Sequence, residues 1–304
     1  MHIINIMTSF EELDLCENLI RGIYSYGYEV ASEIQIKAIP IIKSGKDIIA
    51  QSKSGTGKTA AFSIGSISSI KKDMGGTQVM IICPTYELVH QTHDLIENLI
   101  KYLENITIMK VIGGSNVMKC KNDLQKEPTI IVGTPGRILD MIQKNYLYTD
   151  KITRFIIDEA DEMLSYGFKE TMCNILKSIS KECQISLFSA TLPDEILELT
   201  NLFMNSPTSI LLEKDNITLE GIKQYYVNVK HDNYKIDTLI DIYNKLNVGQ
   251  CIIYVNNKGK LETLHRQLIE MELPVNYITG DFKMDERKKI IDAFKLGNIR
   301  ILLS

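Results

Sequence analysis

Ser52-Lys53-Ser54-Gly55-Thr56-Gly57-Lys58-Thr59 is the stretch on which the fold turns. The apolar run Ile48-Ile49-Ala50 leads into it, and Ala60-Ala61-Phe62 leads out. That order predicts strand, glycine-containing turn, helix. Glycine tolerates backbone torsions that other residues resist, so successive N–H groups can point inward at one anion. The following helix adds its unpaired N–H groups and the positive end of its dipole. Lys58 is placed to reach β- and γ-phosphates, and the Thr59 hydroxyl to ligate Mg²⁺. The stretch reads as a phosphate cradle and the chain as nucleotide-using. One departure stands out: the usual pattern opens with Gly, and this chain has Ser52. A plain strand-to-helix turn with a chance Gly-Lys-Thr is the competing explanation, so the rest of the chain must separate the two.

A length of 304 residues is enough for two domains. With 44% hydrophobic and 24% charged residues, the composition is that of a soluble globular chain. No window is long and apolar enough to span a membrane. Glu11, Glu12 and Asp14 interrupt the amino terminus early, which argues against a secretory signal. The six cysteines (Cys16, Cys83, Cys120, Cys173, Cys183, Cys251) include no Cys-x-x-Cys pair, so the expectation is a reducing compartment and no structural zinc. His90 and His93 share a predicted helix without a third ligand nearby in sequence, and are expected as surface or groove residues. A net charge of −4 argues against a large basic surface for nucleic acid. It leaves room for backbone N–H groups, helix ends and a few cationic side chains to do that work.

After the cradle, apolar runs at 79–83, 106–112, 129–132, 155–157, 185–188 and 209–212 read as strands. Stretches 87–103 and 195–203 have helical periodicity, and 10–19 reads as a short amphipathic helix. Ser32 with Gln35 three residues on has the form of a capping box, for a helix that ends before Gly45. The alternation predicts a parallel sheet covered by helices on both faces, with ligands beyond the carboxyl ends of its strands. Nearly every polar motif falls at such a strand end. Asp158-Glu159-Ala160-Asp161 follows one strand. There Asp158 is suited to hold Mg²⁺ through water, and Glu159 to orient a water for attack on the γ-phosphate. Ser189-Ala190-Thr191 follows another, and its hydroxyls are able either to bond the acidic motif or to cap the next helix.

Taken together and in this order, Gln35, residues 52–59, Pro84-Thr85, Gly113-Gly114, Thr134-Pro135-Gly136-Arg137, Asp158 to Asp161 and Ser189 to Thr191 closely resemble the DEAD-box RNA helicases. Among these the chain resembles the eukaryotic translation initiation factor four-A group. The resemblance implies an α/β fold of two tandem RecA-like parallel-sheet domains, the second truncated. It places domain 1 at residues 1–212, with an adenine-recognition segment at 8–36, a linker at 213–221, and the first part of domain 2 at 222–304. It implies RNA-stimulated ATP hydrolysis with Mg²⁺, coupled to local unwinding of RNA or remodelling of RNA–protein complexes. Gln35 would read the adenine edge, and Phe10 would pack on adenine. The whole loop 52–59 would hold ATP, and Asp161, Ser189 and Thr191 would couple its state to RNA. Pro84, Thr85, Gly113, Gly114, Thr134, Pro135, Gly136 and Arg137 would face RNA without reading bases. The partners implied are single-stranded or locally duplexed RNA and a protein of the initiation-factor type. The chain is expected to be a monomer, away from membranes, in the cytoplasm, with the nucleus left open.

Several positions depart from the family pattern. Ser52 replaces Ala, and Ala31 replaces Pro. Tyr86 stands where the family has Arg, so one phosphate or carboxylate partner is lost, although a Tyr is able to stack instead. In the second half, 222–229, 251–255, 275–278 and 300–303 read as strands, with helices at 234–246, 261–270 and 286–294. Asn256, Lys258, Gly280, Asp281 and Arg287 match second-domain motifs expected to face RNA, with Lys258 in a usual Arg position, Thr279 for His and Met284 for Gln. The family's later arginine-finger motif lies beyond Ser304. The expectation is therefore a fragment of a longer protein. The alternative is a truncated binder of ATP and RNA without turnover, and a DNA translocase is the third possibility weighed.

Overall fold

The structure is a computed structural model that describes residues 9–165, 167–211, 222–246 and 248–304. The chain divides into two compact units, Met1–Ile217 and Thr218–Ser304. The expected linker, 213–221, lies outside the described residues, as does position 8 of the adenine segment.

The first unit is built on seven strands: β1 (Ile48–Gln51), β2 (Val79–Ile82), β3 (Ile108–Val111), β4 (Ile130–Gly133), β5 (Arg154–Ile157), β6 (Gln184–Ser189) and β7 (Thr208–Leu211). They form one sheet in the order β3-β4-β2-β5-β6-β1-β7, with every pair parallel. Successive residues of a strand face opposite sides. Accordingly Val79 and Ile81 enter one buried cluster, and Met80 and Ile82 the other. On the first face the helices Glu17–Tyr26, Glu33–Ser44, Lys58–Ile67 and Tyr86–Leu99 cover the sheet. On the second, Val117–Leu124, Pro135–Gln143, Lys169–Lys177 and Asp194–Phe203 do so. Burial on both faces is why inner strands such as β2 and β4 read as unbroken apolar runs rather than alternating ones. Buried Asp47 ties the unit's edge together, accepting hydrogen bonds from the N–H groups of Ile185 (2.7 Å) and Asn205 (2.6 Å).

Two local expectations are corrected. The helix expected over 10–19 is a 3-10 turn, Phe10–Leu13, followed by the separate helix Glu17–Tyr26. Asp14 takes a left-handed conformation at φ 52, which ends the first turn and redirects the chain. The strand expected over 222–229 is not formed: these residues belong to no described helix or sheet, and Tyr225 and Tyr226 are 85% and 92% exposed. Its aromatic and branched residues favour a strand, but a strand also needs a backbone partner, and no described strand lies beside it.

The second unit carries β8 (Cys251–Ile253), β9 (Val275–Tyr277) and β10 (Ile301–Leu303), parallel and in the order β8-β10-β9. Its helices are Lys235–Lys245, Lys258–Glu270 and Met284–Lys295. Leu261, Leu264 and Leu268 of the middle helix pack on Ile301 and Leu303 of the central strand. No helix among the described residues is long and apolar enough to cross a membrane.

Candidate functional site

Sheet order sorts the motifs of the first unit into two groups. The neighbours β5, β6 and β1 end at Asp158-Glu159, Ala190-Thr191 and the loop 52–57. The neighbours β3, β4 and β2 end near Gly113-Gly114, Thr134 to Arg137 and Pro84-Thr85.

In the first group, Gly55 and Gly57 hold φ +80 and +99. These torsions let the loop wrap before the helix Lys58–Ile67 begins. Ser52 is buried, and its hydroxyl bonds that of Thr56 at 2.8 Å, while the Thr56 hydroxyl donates to the Lys53 carbonyl at 2.9 Å. The serine at the irregular position thus fastens the two ends of the loop. Ser54 is exposed at its tip, and Thr59 is half-buried in the first turn of the helix.

Lys58 is 5% exposed. Its Nζ lies 3.4 Å from Glu159 Oε1, yet it has no aligned hydrogen bond. A buried ammonium with donors to spare fits a polyphosphate. Asp158 is also buried, and it accepts from the Glu159 N–H at 3.1 Å. Burial, then the neighbouring Glu159, push its carboxyl up to about 7, with Lys58 pulling the other way. Burial and the like charge of Glu159 outweigh Lys58 here, an environment that a Mg²⁺ ion would reverse. Glu159 itself sits at φ 48, a torsion uncommon for a non-glycine residue.

Asp161 gathers the third strand end. Its Oδ2 accepts from the Thr191 N–H (3.0 Å) and hydroxyl (2.8 Å), and its own N–H donates to Ser189 Oγ (3.2 Å). Burial raises the Asp161 carboxyl, but the hydrogen bonds from Thr191 and Ser189 outweigh it and hold the group below its ordinary value. These hydroxyls therefore bond the acidic motif, and the helix Asp194–Phe203 has no side-chain cap.

The adenine segment meets the loop through Gln35. Its Oε1 accepts from the Ser32 N–H at 2.9 Å, and its Nε2 donates to the Gly57 carbonyl at 3.4 Å. The capping box expected of Ser32 and Gln35 is present at the start of this helix, and the bond from the Ser32 N–H is its well-aligned half. Phe10 is wholly buried in the core, edge-on to Tyr24 at 6.3 Å. The structure does not bring its ring to the loop surface, because the 3-10 turn points it inward.

In the second group, Thr85 caps the helix Tyr86–Leu99, accepting from the Leu88 N–H at 3.3 Å. Gly114 has φ 75. Gly133 lies so close to β3 that a Cβ would stand 2.4 Å from the Val111 carbonyl oxygen. Pro135 starts the helix Pro135–Gln143 behind Thr134, and nothing lies within 4 Å of where a Gly136 side chain would be. Arg137 donates to the Ser115 hydroxyl and carbonyl, both at 3.0 Å. Ser115 is the positioning residue that sequence inspection passed over, although it directly follows Gly113-Gly114. His93, Asp94 and Glu97 approach within 4.8 Å of one another, but the His93 ring is already bonded to Asp94 at 3.1 Å.

In the second unit Lys258 pairs with Asp281, and Asn257 caps its helix by accepting from the Lys260 N–H at 3.2 Å. Asn256 and Gly280 follow β8 and β9, and Arg287 lies in the helix Met284–Lys295.

A phosphate loop beside a strand-end acidic pair, on a wholly parallel sheet, defines a RecA-like nucleotide-hydrolase unit. Residues 32–199 match the DEAD/DEAH box helicase family, and 234–304 match the helicase conserved C-terminal domain. The chain is 44% identical over 300 residues to the ATP-dependent RNA helicase eIF4A of Lodderomyces elongisporus, covering 99% of this chain and 75% of that protein. It is 42% identical over 299 residues to eukaryotic initiation factor 4A of Caenorhabditis elegans, covering 98% and 74%. Among solved structures, Saccharomyces cerevisiae Dbp5 bound to RNA and ADP BeF3 superposes with a TM-score of 0.88 at 31% identity, over 97% of this chain and 75% of that one. A DEAD box protein from Methanococcus jannaschii gives 0.65 at 35% identity, over 97% and 79%. The chain belongs to the DEAD-box ATP-dependent RNA helicases, in their eIF4A-like group. Its fold is that of two tandem RecA-like units.

Proposed function

We propose that this protein couples RNA-stimulated ATP hydrolysis to local opening of RNA duplexes or remodelling of RNA–protein complexes, in cytoplasmic translation initiation. The observation that supports this most is the sheet order, which gathers the phosphate loop and acidic motif on the adjacent strands β5, β6 and β1, and the loops expected to face RNA on the adjacent strands β3, β4 and β2. Bound Mg–ATP would supply the phosphoanhydride and a cation that offsets its charge. Lys58 and the N–H groups of the loop 52–59 would hold the phosphates, and Thr59 and Asp158 would hold Mg²⁺. Glu159 orients the attacking water, and Gln35 selects adenine once its amide leaves the cap. Asp161, Ser189 and Thr191 couple the acidic motif to the rest of the site. Pro84, Thr85, Gly113, Gly114, Thr134, Pro135, Gly136 and Arg137 grip the RNA backbone, joined by Asn256, Lys258, Gly280, Asp281 and Arg287. Such contacts leave base sequence unread. The domain limits 1–212 and 222–304 stand as part of this proposal, as do a monomeric state and a protein partner of the initiation-factor type.

The test is ATP turnover by the 304-residue chain with RNA or DNA strands of equal sequence, for the wild type and for Lys58→Ala. RNA should raise turnover and DNA should not, and Lys58→Ala should remain folded while losing about 10²-fold or more in rate. A folded wild-type protein whose turnover ignores RNA would overturn the proposal.

A further inference from the structure

Tyr86 opens the helix Tyr86–Leu99, immediately after Pro84-Thr85. Its ring is half-buried and packs against the His90 ring one turn later in a tilted arrangement, with centroids 4.2 Å apart and planes at 56°. His90 Nδ1 lies 3.2 Å from Lys110 Nζ on the edge strand β3, and Lys110 reaches Asp94 at 3.8 Å. Lys110 stands three positions before Gly113 on the same strand and loop. The two rings and the lysine therefore bridge from the end of β2 to β3, across the group of loops that carries the backbone-binding residues. Those loops offer N–H groups, hydroxyls and Arg137, all suited to phosphate and sugar. The rings add a different chemistry, a π-face with a cation behind it. Unstacked bases of a single strand are held in this way on Tyr and His side chains.

We propose, on the RNA-binding reading above, that Tyr86, backed by His90, is a stacking platform for one nucleobase of the bound single strand. Stacking needs the ring and not the phenolic hydroxyl, tolerates any base, and favours the larger face of a purine. It is also blind to salt, so it supplements the phosphate contacts of a chain whose net charge is −4.

The experiment is fluorescence anisotropy with the 304-residue chain, a non-hydrolysable ATP analogue, and dye-labelled oligo(A), oligo(U) and an abasic ribose-phosphate strand of equal length. Loss of one stacked base corresponds to about a five-fold or greater loss of affinity. Tyr86→Ala should weaken oligo(A) by that much and oligo(U) by less, and leave the abasic strand unchanged. Tyr86→Phe should bind oligo(A) within about two-fold of the wild type. The proposal is overturned if Tyr86→Ala binds oligo(A) like the wild type, if it weakens the abasic strand equally, or if Tyr86→Phe is as impaired as Tyr86→Ala. A wild-type chain that binds none of the strands overturns the RNA-binding reading itself, and the stacking platform with it.

Discussion

Gly57→Ala tests how the adenine segment is joined to the phosphate loop. Gly57 holds φ +99, and a Cβ there would stand 2.6 Å from Gln35 Nε2 and 2.9 Å from Ser32 Oγ. The strained torsion costs about 1–3 kcal/mol for a residue with a side chain. Gln35 must also swing away and give up its 2.9 Å bond from the Ser32 N–H, a further loss of about 0.5–1.5 kcal/mol. For a unit of this size, the two together lower the melting temperature by about 3–18 °C. Circular dichroism melting of the wild type, Gly57→Ala, Gln35→Ala and the double variant separates the contributions. In the Gln35→Ala background the amide is already gone, so Gly57→Ala should cost about 0.5–1.5 kcal/mol less there. Strictly additive costs would refute a contact between Gln35 and the loop. A melting temperature within about 1 °C of the wild type would refute the strained turn as well.

Gly133→Ala should destabilise the first unit by about 1–3 kcal/mol, because its Cβ would meet the Val111 carbonyl, which is backbone and has nowhere to go. A urea midpoint equal to the wild type's would show that β3 and β4 are not packed so closely. Asp161 makes the pH-dependent prediction. Its carboxyl is held below the ordinary 3.8, so it contributes stability above that pH, which is lost as the pH falls through the lower folded value. Asp161→Asn should therefore be less stable than the wild type at neutral pH, and the two should converge in acid below pH 3.8. Acid-unfolding curves offset by the same amount at every pH would rule this out.

The parts of this molecule that read well from sequence are those fixed by local chemistry. Val79 to Ile82 are apolar at every position because helices cover both faces of β2, and the glycines of the loop mark the torsions they adopt. The helix from Glu33 to Ser44 stops where Gly45 turns left-handed, as its residues imply. What escaped was decided by distant partners. Residues 222–229 have strand-forming side chains, but pairing depends on a neighbouring backbone that no local pattern encodes. Phe10 lies in the expected segment, yet its ring is buried edge-on to Tyr24, 14 positions away, a contact that no local pattern encodes. The grip of Ser115 on Arg137 spans 22 positions, and that of Lys110 on His90 spans 20. The choice between a helix cap and the acidic motif for Ser189 and Thr191 was open in sequence. It was settled by the adjacency of β5 and β6, a consequence of sheet order.

The most direct measurement of the central claim is single-turnover ATP hydrolysis with saturating single-stranded RNA, wild type against Glu159→Gln. Glu159 lies 3.4 Å from Lys58 at the mouth of the loop. If it orients the attacking water, the neutral isostere should retain nucleotide binding and lose about 10²-fold or more in turnover. Equal turnover by the two proteins would contradict a hydrolytic site built from the loop 52–59 and the acidic strand end, and RNA-independent turnover by the wild type would contradict its coupling to RNA.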